Sequence, residues 1–345
     1  MTPPDRIATK APAAVVAVLV VVALAAAAPR PTGAAEPVAG AAPPVVRARW
    51  LMGTPCEVRA FGPPDRVGPH LDRALDRIAQ LEQVMTTWRP DGELAQLNTR
   101  CAGAVGDSSP LAVSPGLARV LALARGYAAR TGGAFDPSVG PLLDAWGVKT
   151  GGREPSRDEL RDALARTGWT HFDVAADPPA VICRRDGMAF DLGAIGKGIA
   201  LDEAAAVLRA AGVTRALFNF GGQVLALDAP PGTDGWLVDI ADPSNRARGV
   251  RTLTLARASL SVTGNAERAI EAGGRRRGHV IDPHTGEPVD RSAALVVIAP
   301  SATAADALST ALFVLGPGPG AEAVARATDA TFEFMEREKE SLDGP

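Results

Sequence analysis

The segment from Asp191 to Gln223 most constrains what this chain can fold into, because it combines a strand end, a glycine-rich turn, a helix and a second strand. The turn contains three glycines: Gly193, Gly196 and Gly198. Without a Cβ, they let the backbone bend tightly and approach a ligand closely. A helix is predicted from about Ile199, with Gly212 as its C-terminal stop. Lys197 is therefore expected at a helix N-terminus, where backbone N–H groups and an ammonium both suit a phosphate.

This segment does not identify a function by itself. The sequence GAIGKG has neither the spacing of a dinucleotide-binding fingerprint nor that of a phosphate-cradling GxxxxGK[ST] loop. An ordinary strand-to-helix connection with a surface lysine explains it equally well. Other parts of the chain must decide between these two interpretations.

The bulk composition is that of a globular protein without a polyanion-binding surface. The 345 residues are 46% hydrophobic and 22% charged, and the formal net charge is −3. Such a chain can form one large domain or two lobes. Because the charge is nearly balanced, nucleic acid is not an expected partner.

The N-terminus has the pattern of an export signal. Arg6 and Lys10 precede the apolar run 11–28, and small residues at 33–35 offer a cleavage site. The run is also about long enough to span a bilayer, so an uncleaved anchor in the inner membrane is the alternative. We expect an exported protein, either periplasmic or anchored to the outer face of the cytoplasmic membrane. Four parts are predicted: a signal peptide or anchor at 1–35, a Pro/Ala-rich linker at 36–46, the main domain at 47–335 and a charged tail at 336–345.

The cysteine content is low and odd in number. The three cysteines are Cys56, Cys101 and Cys183, and they form no CxxC or Cys/His metal motif. One disulfide is possible in an exported protein. However, Cys56 and Cys183 lie in apolar, strand-like sequence, which favours thiols buried in the core.

Hydrophobic periodicity and capping signals predict several elements. Alternating residues indicate a strand pair over 47–60, and apolar residues at helical spacing indicate a helix over 71–85. Ser156 and Glu159 have the spacing of a capping box at the start of a helix. Two further short strands are expected at 294–299 and 331–335.

Two other elements are predicted from turn and cap residues. Arg185-Asp186-Gly187 is expected to close a hairpin between strands at 181–184 and 188–192. Thr303 is expected to cap the last predicted helix, over 304–315.

Asp306 and Thr310 are the best candidates for a metal site. They are four residues apart on the last predicted helix, so their side chains share one face. A carboxylate and a hydroxyl, completed by backbone carbonyls, form an all-oxygen set that suits Mg²⁺. The alternative is structural: an Asp near the positive end of the helix dipole and a Thr bonded to its own turn.

Two more side chains complete the set of candidates. His279 could act as a base, although a lone His beside a strand is more often structural. Trp88 stands before a Pro-Asp-Gly turn and suits either the core or stacking on a flat ring. Together with Lys197, Asp306 and Thr310, these residues fit a diphosphate that carries a flat ring system.

In order and spacing, the motifs resemble those of the ApbE-type FAD:protein FMN transferases over about residues 50–316. No single motif is decisive, but seven in the right order are highly specific. The matching segments are 52–54 (MGT), 88–94 (WRPDGEL) with Asn98, 133–136 (GAFD) with 139–142 and 146–147, 191–198 (DLGAIGKG), Asn219 with 221–222, 279–283 (HVIDP) with 285–286, and 305–311 (ADALSTA).

The resemblance implies a two-lobed α+β fold with mixed or antiparallel sheets and an FAD cleft between the lobes. It also implies an enzyme that cleaves FAD with Mg²⁺ and passes FMN to a threonine hydroxyl of a partner flavoprotein, releasing AMP. His279 and Lys197 would be the catalytic residues. The Mg²⁺ would be bound by Asp306, Thr310 and the Ala194 carbonyl, with Ser309 as a further candidate. The residues implied to line the FAD are Met52, Trp88, Ala134, Phe135, Asp136, Asp191, Lys197 and Val280.

Two positions depart from the family pattern. Gln223 stands where an acidic residue often follows the paired glycines, and Asn265-Ala266 stands where Asp-Tyr is more usual. We expect these changes to affect flavin affinity or the acceptor groove rather than the metal site. Two other functions remain open: Mg²⁺-dependent hydrolysis of FAD to FMN and AMP, and non-catalytic flavin binding by an exported protein.

Overall fold

The computed structural model of the protein describes residues 43–103, 109–241, 249–265 and 269–336. The predicted signal or anchor at 1–35 lies outside these ranges, as do residues 36–42 of the predicted linker and 337–345 of the predicted charged tail. Within the described ranges, no helix has the length and apolarity required to cross a membrane.

A seven-stranded antiparallel sheet is the largest element of the fold. Apolar side chains pack on both faces of this sheet. On the strand 294–299, Leu295 and Val297 belong to the main core, whereas Val296 belongs to a second cluster on the opposite face. In spatial order the strands are β1 (Val45–Leu51), β2 (Thr54–Ala60), β6 (Ala216–Phe220), β7 (Gln223–Ala226), β10 (Ala258–Gly264), β13 (Ala294–Ala299) and β14 (Thr331–Met335).

Three smaller sheets accompany the large one. A three-stranded sheet has the order β3 (Leu111–Ala112), β5 (Pro179–Cys183) and β4 (Phe172–Ala176). Two hairpins are formed by β8 (Trp236–Ala241) with β9 (Gly249–Leu255) and by β11 (Ala269–Ala272) with β12 (Arg275–Gly278). The β8–β9 hairpin covers one face of the large sheet through the second apolar cluster.

The main core lies between the other face of the large sheet and several of the helices. The helices are α1 (Pro64–Met85), α2 (Glu93–Ala102), α3 (Pro115–Arg130), α4 (Gly140–Ala145), α5 (Arg157–Arg166), α6 (Gly196–Ala210), α7 (Ala302–Leu315) and α8 (Pro319–Ala327). Of these, α6 packs between α1 and α7, and α7 contacts β10 and β13. The predicted α+β fold with antiparallel sheets is confirmed.

The predicted hairpin between 181–184 and 188–192 is wrong. The turn itself forms, since the Met188 N–H donates to the Arg185 carbonyl at 3.4 Å. However, β5 is already paired on both edges, with β4 and with β3. The following segment therefore has no free edge to join, and Ala189 instead makes a single parallel bridge to Val139.

Two helix starts also differ from the sequence prediction. The helix α6 begins at Gly196, three residues before Ile199, so Lys197 lies inside its first turn. The helix α7 is capped by Ser301, whose hydroxyl accepts from the Ala304 N–H at 3.1 Å, and not by Thr303. The Thr303 hydroxyl instead donates to Asp202 on α6, a long-range partner that a local capping rule does not reveal.

A disulfide joins α2 to β5. It links Cys101 to Cys183, whose Cα atoms are 5.8 Å apart across a sequence separation of 82 residues. Both side chains are almost fully buried, and the expectation that Cys183 is a core thiol is wrong because its burial in apolar sequence accompanies a disulfide. Only Cys56 is a buried free thiol, and burial raises the pKa of that thiol to about 12.

We expect the oxidised protein to be more stable than the reduced protein by about 2–4 kcal/mol, because the cross-link closes a long loop and so restricts the unfolded chain. Urea unfolding of the oxidised protein, the reduced protein and the Cys101→Ser/Cys183→Ser variant measures the difference. The reduced protein and the double variant should unfold at similar urea concentrations, well below that for the oxidised protein. Coincident transitions for all three would contradict this prediction.

Candidate functional site

The first turns of α6 and α7 meet with almost no space between their backbones. An added Cβ on Gly198 would lie 2.3 Å from the Ala302 carbonyl oxygen, so only glycine allows this contact. The Gly198 N–H donates to Oδ2 of Asp306 at 2.9 Å. Asp306 thus stabilises the start of α6 from α7, where the positive end of the helix dipole favours a carboxylate.

A second carboxylate connects the same two helices, but it lies on α6 and accepts from the start of α7. Asp202 of α6 accepts hydrogen bonds from the N–H groups of Ala302 and Thr303 at 2.9 and 2.8 Å, and from the Thr303 hydroxyl at 2.6 Å. Two unpaired N–H groups at the start of α7 are satisfied in this way. The reciprocal pair Asp202 and Asp306 fixes the relative position of the two helix N-termini.

Lys197 and Asp306 are in direct contact, although 109 residues separate them in sequence. Their Nζ and Oδ1 atoms are 3.4 Å apart, and the Asp306 side chain is only 5% exposed while that of Lys197 is 28% exposed. A nearly buried carboxylate thus has one close donor, Gly198, and one loosely placed ammonium. Such a carboxylate retains lone pairs for a cation.

The donor set around Asp306 fits Mg²⁺. The Gly198 N–H is directed to Asp306, and no backbone N–H of the described residues reaches the Ala194 carbonyl four residues earlier. Thr310 is partly exposed one turn after Asp306. Mg²⁺ commonly takes one or two carboxylates and completes its shell with water and substrate phosphates. A sparse set with one carboxylate is therefore sufficient, and no cluster of three His, Cys, Asp or Glu occurs in the described part of the chain.

Ser309 is less suited to this role than Thr310. Its side chain is 1% exposed, and its hydroxyl donates to the Asp306 carbonyl at 2.9 Å while it accepts from the Thr263 hydroxyl at 2.8 Å. The bond with Thr263 connects α7 to β10. Thr310 therefore remains the hydroxyl candidate for the metal.

Asp191 and Trp88 belong to a second group of contacts, which precedes the glycine turn. Oδ1 of Asp191 accepts from the Gly193 N–H at 2.8 Å, and its Oδ2 lies 2.8 Å from the ammonium of Lys149. The same ammonium is 5.8 Å from the centroid of the Trp88 ring, which is 70% exposed. The exposure favours the stacking interpretation of Trp88 over the core one.

The segment 134–136 lies in the core. Ala134 and Phe135 are 1% and 2% exposed. The oxygens of Asp136 accept from the N–H and hydroxyl of Ser138 and from the Trp169 N–H, at 2.6–2.8 Å. Burial raises the pKa of Asp136, and these hydrogen bonds oppose the rise. The Asp136 carboxylate is therefore occupied by hydrogen bonds within the protein.

Met52, Val280 and His279 occupy three further positions. Met52 is at the tip of the β1–β2 hairpin with a φ of +47°, a conformation that non-glycine residues rarely adopt. Val280 is 7% exposed and belongs to the main core together with Ala134 and Phe135. His279 is partly buried directly after β12.

The sequence prediction missed two residues of the site, Asp202 and Lys149. In the sequence, Asp202 is only an acidic residue near the start of a predicted helix. Lys149 lies between Gly147 and the pair Gly151-Gly152, and a lysine within a glycine-rich loop was the one signal that could have found it.

Gln223 and Asn265, which depart from the family pattern, have a common explanation, whereas Ala266 lies outside the described residues. The Gln223 side-chain amide donates to the Ala302 carbonyl at 2.7 Å, and the Asn265 amide donates to the carbonyls of Val289 and Arg291 at 2.7 and 3.1 Å. A carboxylate cannot donate these bonds. In this chain both amides therefore connect their own segments to backbone carbonyls of other segments.

Replacing Gln223 by Glu should destabilise the protein by about 2 kcal/mol at neutral pH, because it places a buried carboxylate against a carbonyl. Burial should raise the pKa of this new carboxyl above its unfolded value. The loss of stability should therefore be complete above the raised pKa. It should disappear as the pH falls below the pKa that the carboxyl group has in the unfolded chain. Urea unfolding at two pH values measures it, with Gln223→Met as the uncharged control. A Glu variant as stable as the wild type at neutral pH would refute the explanation.

Comparisons with known proteins agree with the fold. The ApbE family model matches residues 52–333. The FAD:protein FMN transferase of Treponema pallidum (strain Nichols) is 33% identical over 288 residues, covering 78% of this chain and 78% of the relative. That of Escherichia coli (strain K12) is 30% identical over 252 residues, covering 71% and 70%.

A solved structure shows the same similarity. The crystal structure of the Pseudomonas stutzeri flavinyl transferase ApbE in its apo form matches with a TM-score of 0.73 at 27% identity, covering 86% of this chain and 92% of the other. The shared α+β fold and the similarity to these relatives place the chain among the flavin transferases. The chain belongs to the ApbE family. The resemblance inferred from the sequence is confirmed.

Proposed function

We propose that this protein is a Mg²⁺-dependent FAD:protein FMN transferase that attaches FMN to a threonine hydroxyl of a partner flavoprotein and releases AMP. The direct contact between Lys197 and Asp306 where α6 meets α7 is the observation that carries the proposal. It joins an anion-binding helix N-terminus to a nearly buried carboxylate. The names of the relatives support the choice of FAD and of a protein acceptor.

In the proposed mechanism, the first turn of α6 and the Lys197 ammonium bind the diphosphate of FAD. Asp306, Thr310 and the Ala194 carbonyl would hold Mg²⁺, which would neutralise charge that develops on the diphosphate during transfer. His279 would take the proton of the acceptor hydroxyl. The hydroxyl oxygen then bonds to the FMN phosphorus as the bond from that phosphorus to the bridging oxygen breaks. AMP leaves with the bridging oxygen.

The positions of the other predicted residues suit this ligand. Trp88 presents an exposed ring for stacking, and Met52, Val280 and the backbone of the segment 134–136 would complete the FAD site that the family resemblance implies. Little covalent work is left to the protein, because positioning and charge stabilisation account for most of phosphoryl-transfer catalysis.

We also propose that the protein is exported, as periplasmic or membrane-anchored protein. The apolar N-terminal run supports this proposal, and so does the Cys101–Cys183 disulfide, because disulfides persist mainly in oxidising compartments.

The proposal is tested with the purified protein, FAD, Mg²⁺ and a flavoprotein domain that carries a threonine target. After denaturing electrophoresis, flavin fluorescence should remain on the acceptor, and this label should be lost when a chelator is added. Release of AMP without a labelled acceptor would favour FAD hydrolysis. If FAD binds but neither product forms, the protein is a flavin-binding module and the transferase proposal fails.

A further inference from the structure

Lys149 lies in a short loop that backbone hydrogen bonds hold in one shape. The loop starts at Gly147, which has a φ of +61°. The Gly147 carbonyl accepts from the N–H groups of Thr150 and Gly152, both at 2.9 Å. Because the backbone of Lys149 is fixed by its neighbours, its side chain starts from a defined position.

The ammonium of Lys149 contacts three side chains from two separate segments. Its Nζ atom is 2.8 Å from the Thr87 hydroxyl and 2.8 Å from Oδ2 of Asp191, and it lies 5.8 Å from the Trp88 ring centroid. The Lys149 side chain is only 26% exposed and that of Asp191 only 14%. An ammonium has three donors, and these contacts use two of them.

Without this ammonium, the two segments would be poorly connected. Thr87 and Asp191 would keep only a marginal hydrogen bond of 3.5 Å between them. The Asp191 carboxylate would remain mostly buried without its cation, which is costly. The Trp88 ring is 70% exposed and would lose its cation–π contact.

We propose that Lys149 is a positioning residue, which holds the carboxylate of Asp191 and the ring of Trp88 in the geometry that receives one ring system of the ligand. The identity of that ligand as FAD rests on the proposed function. The carboxylate can accept hydrogen bonds from ring N–H or ribose hydroxyl groups, and the indole can stack on a flat ring. Lys149 itself takes no part in the phosphoryl transfer.

The test is equilibrium binding of FAD without Mg²⁺ or acceptor, followed by flavin fluorescence, for the wild type and for Lys149→Met. We expect Kd for FAD to rise about tenfold, because the Asp191 carboxylate and the Trp88 ring are no longer held in place before the ligand binds. In competition experiments with FMN and with AMP, the loss of affinity should fall mainly on one of the two nucleotides, since only one ring system of FAD would bind beside Asp191 and Trp88. In the transfer assay, KM for FAD should rise while kcat changes by less than about threefold.

Two variants control the experiment. Arg153→Met removes a cation from the same loop. Because the ion pair between Arg153 and Glu159 is exposed, this variant should leave the Kd for FAD unchanged. Lys149→Arg should restore most of the affinity. If Lys149→Met does not fold, the nearly isosteric Thr87→Val removes one partner of the ammonium and should raise Kd by about threefold.

Several outcomes would overturn the proposal. They are an unchanged Kd in Lys149→Met, an equal loss of affinity for FMN and AMP, or a fall in kcat with KM unchanged. These outcomes are separable from failure of the proposed function. If the proposed function fails, the wild type binds FAD but labels no acceptor. The comparison of Kd for FAD between the wild type and Lys149→Met still decides the role of Lys149.

Discussion

Replacing Asp306 by alanine should reduce FMN transfer by about a thousandfold or more, because the variant loses both the carboxylate that we propose for Mg²⁺ and the partner of Lys197. Binding of FAD should fall by less than about tenfold, since the ring contacts and the helix N-terminus remain. Transfer is measured as flavin fluorescence on the acceptor, and binding as FAD titration in the absence of Mg²⁺. The large loss of rate with little loss of binding is the expected signature of a group that acts in the transition state.

The control must separate chemistry from folding, because Asp306 also accepts a hydrogen bond from Gly198. Asp202→Ala is matched to it, since Asp202 is the reciprocal carboxylate between the same two helices. This variant should lose stability but keep transfer within about tenfold of wild type at a temperature where it is folded. If Asp306→Ala retained more than a tenth of the wild-type rate, the assignment of Asp306 would be wrong.

Replacing Gly198 by alanine should destabilise the protein by about 3 kcal/mol, because the new methyl group would collide with backbone and not with a flexible side chain. Its Cβ would lie 2.3 Å from the Ala302 carbonyl oxygen. The two helices must separate to relieve this contact, and Lys197 then moves away from Asp306. Urea unfolding measures the stability, and we expect FMN transfer to fall as well.

Gly196→Ala is the matched control in the same helical turn. A Cβ there would meet only the end of the Met85 side chain, at 3.8 Å, which is an ordinary contact. This variant should be as stable as the wild type or slightly more stable, since alanine is the better helix former. Equal stability of the two alanine variants would contradict the close approach of α6 and α7.

Local patterns in the sequence predicted those elements whose signal is itself local. The strands predicted at 294–299 and 331–335 have the bounds that the structure shows. The Ser156–Glu159 capping box also forms as predicted. In each case the residues that carry the pattern are the residues that make the contacts.

Features that depend on distant partners were beyond local patterns. The Arg185-Asp186-Gly187 turn indicated a change of direction, but only the fold shows that both edges of β5 are occupied. The Cys101–Cys183 pair and the Lys149–Asp191 ion pair likewise depend on which segments meet.

The site was predictable only in part. Lys197 and Asp306 were identified by motif order, and the structure brings them into contact. Asp202 was missed because its function depends on the N-terminus of another helix, and Lys149 because its partners lie in other segments. The roles of His279 and Met52 stay predictions that rest on the family resemblance.

The most direct test of the account is the mass of the acceptor protein after reaction with FAD, measured together with the AMP released. We predict that the acceptor gains the mass of one FMN less one water, that this mass lies on a threonine, and that one AMP is released per modified acceptor. AMP formed in the presence of an unmodified acceptor would contradict FMN transfer and would show that water takes the place of the threonine hydroxyl.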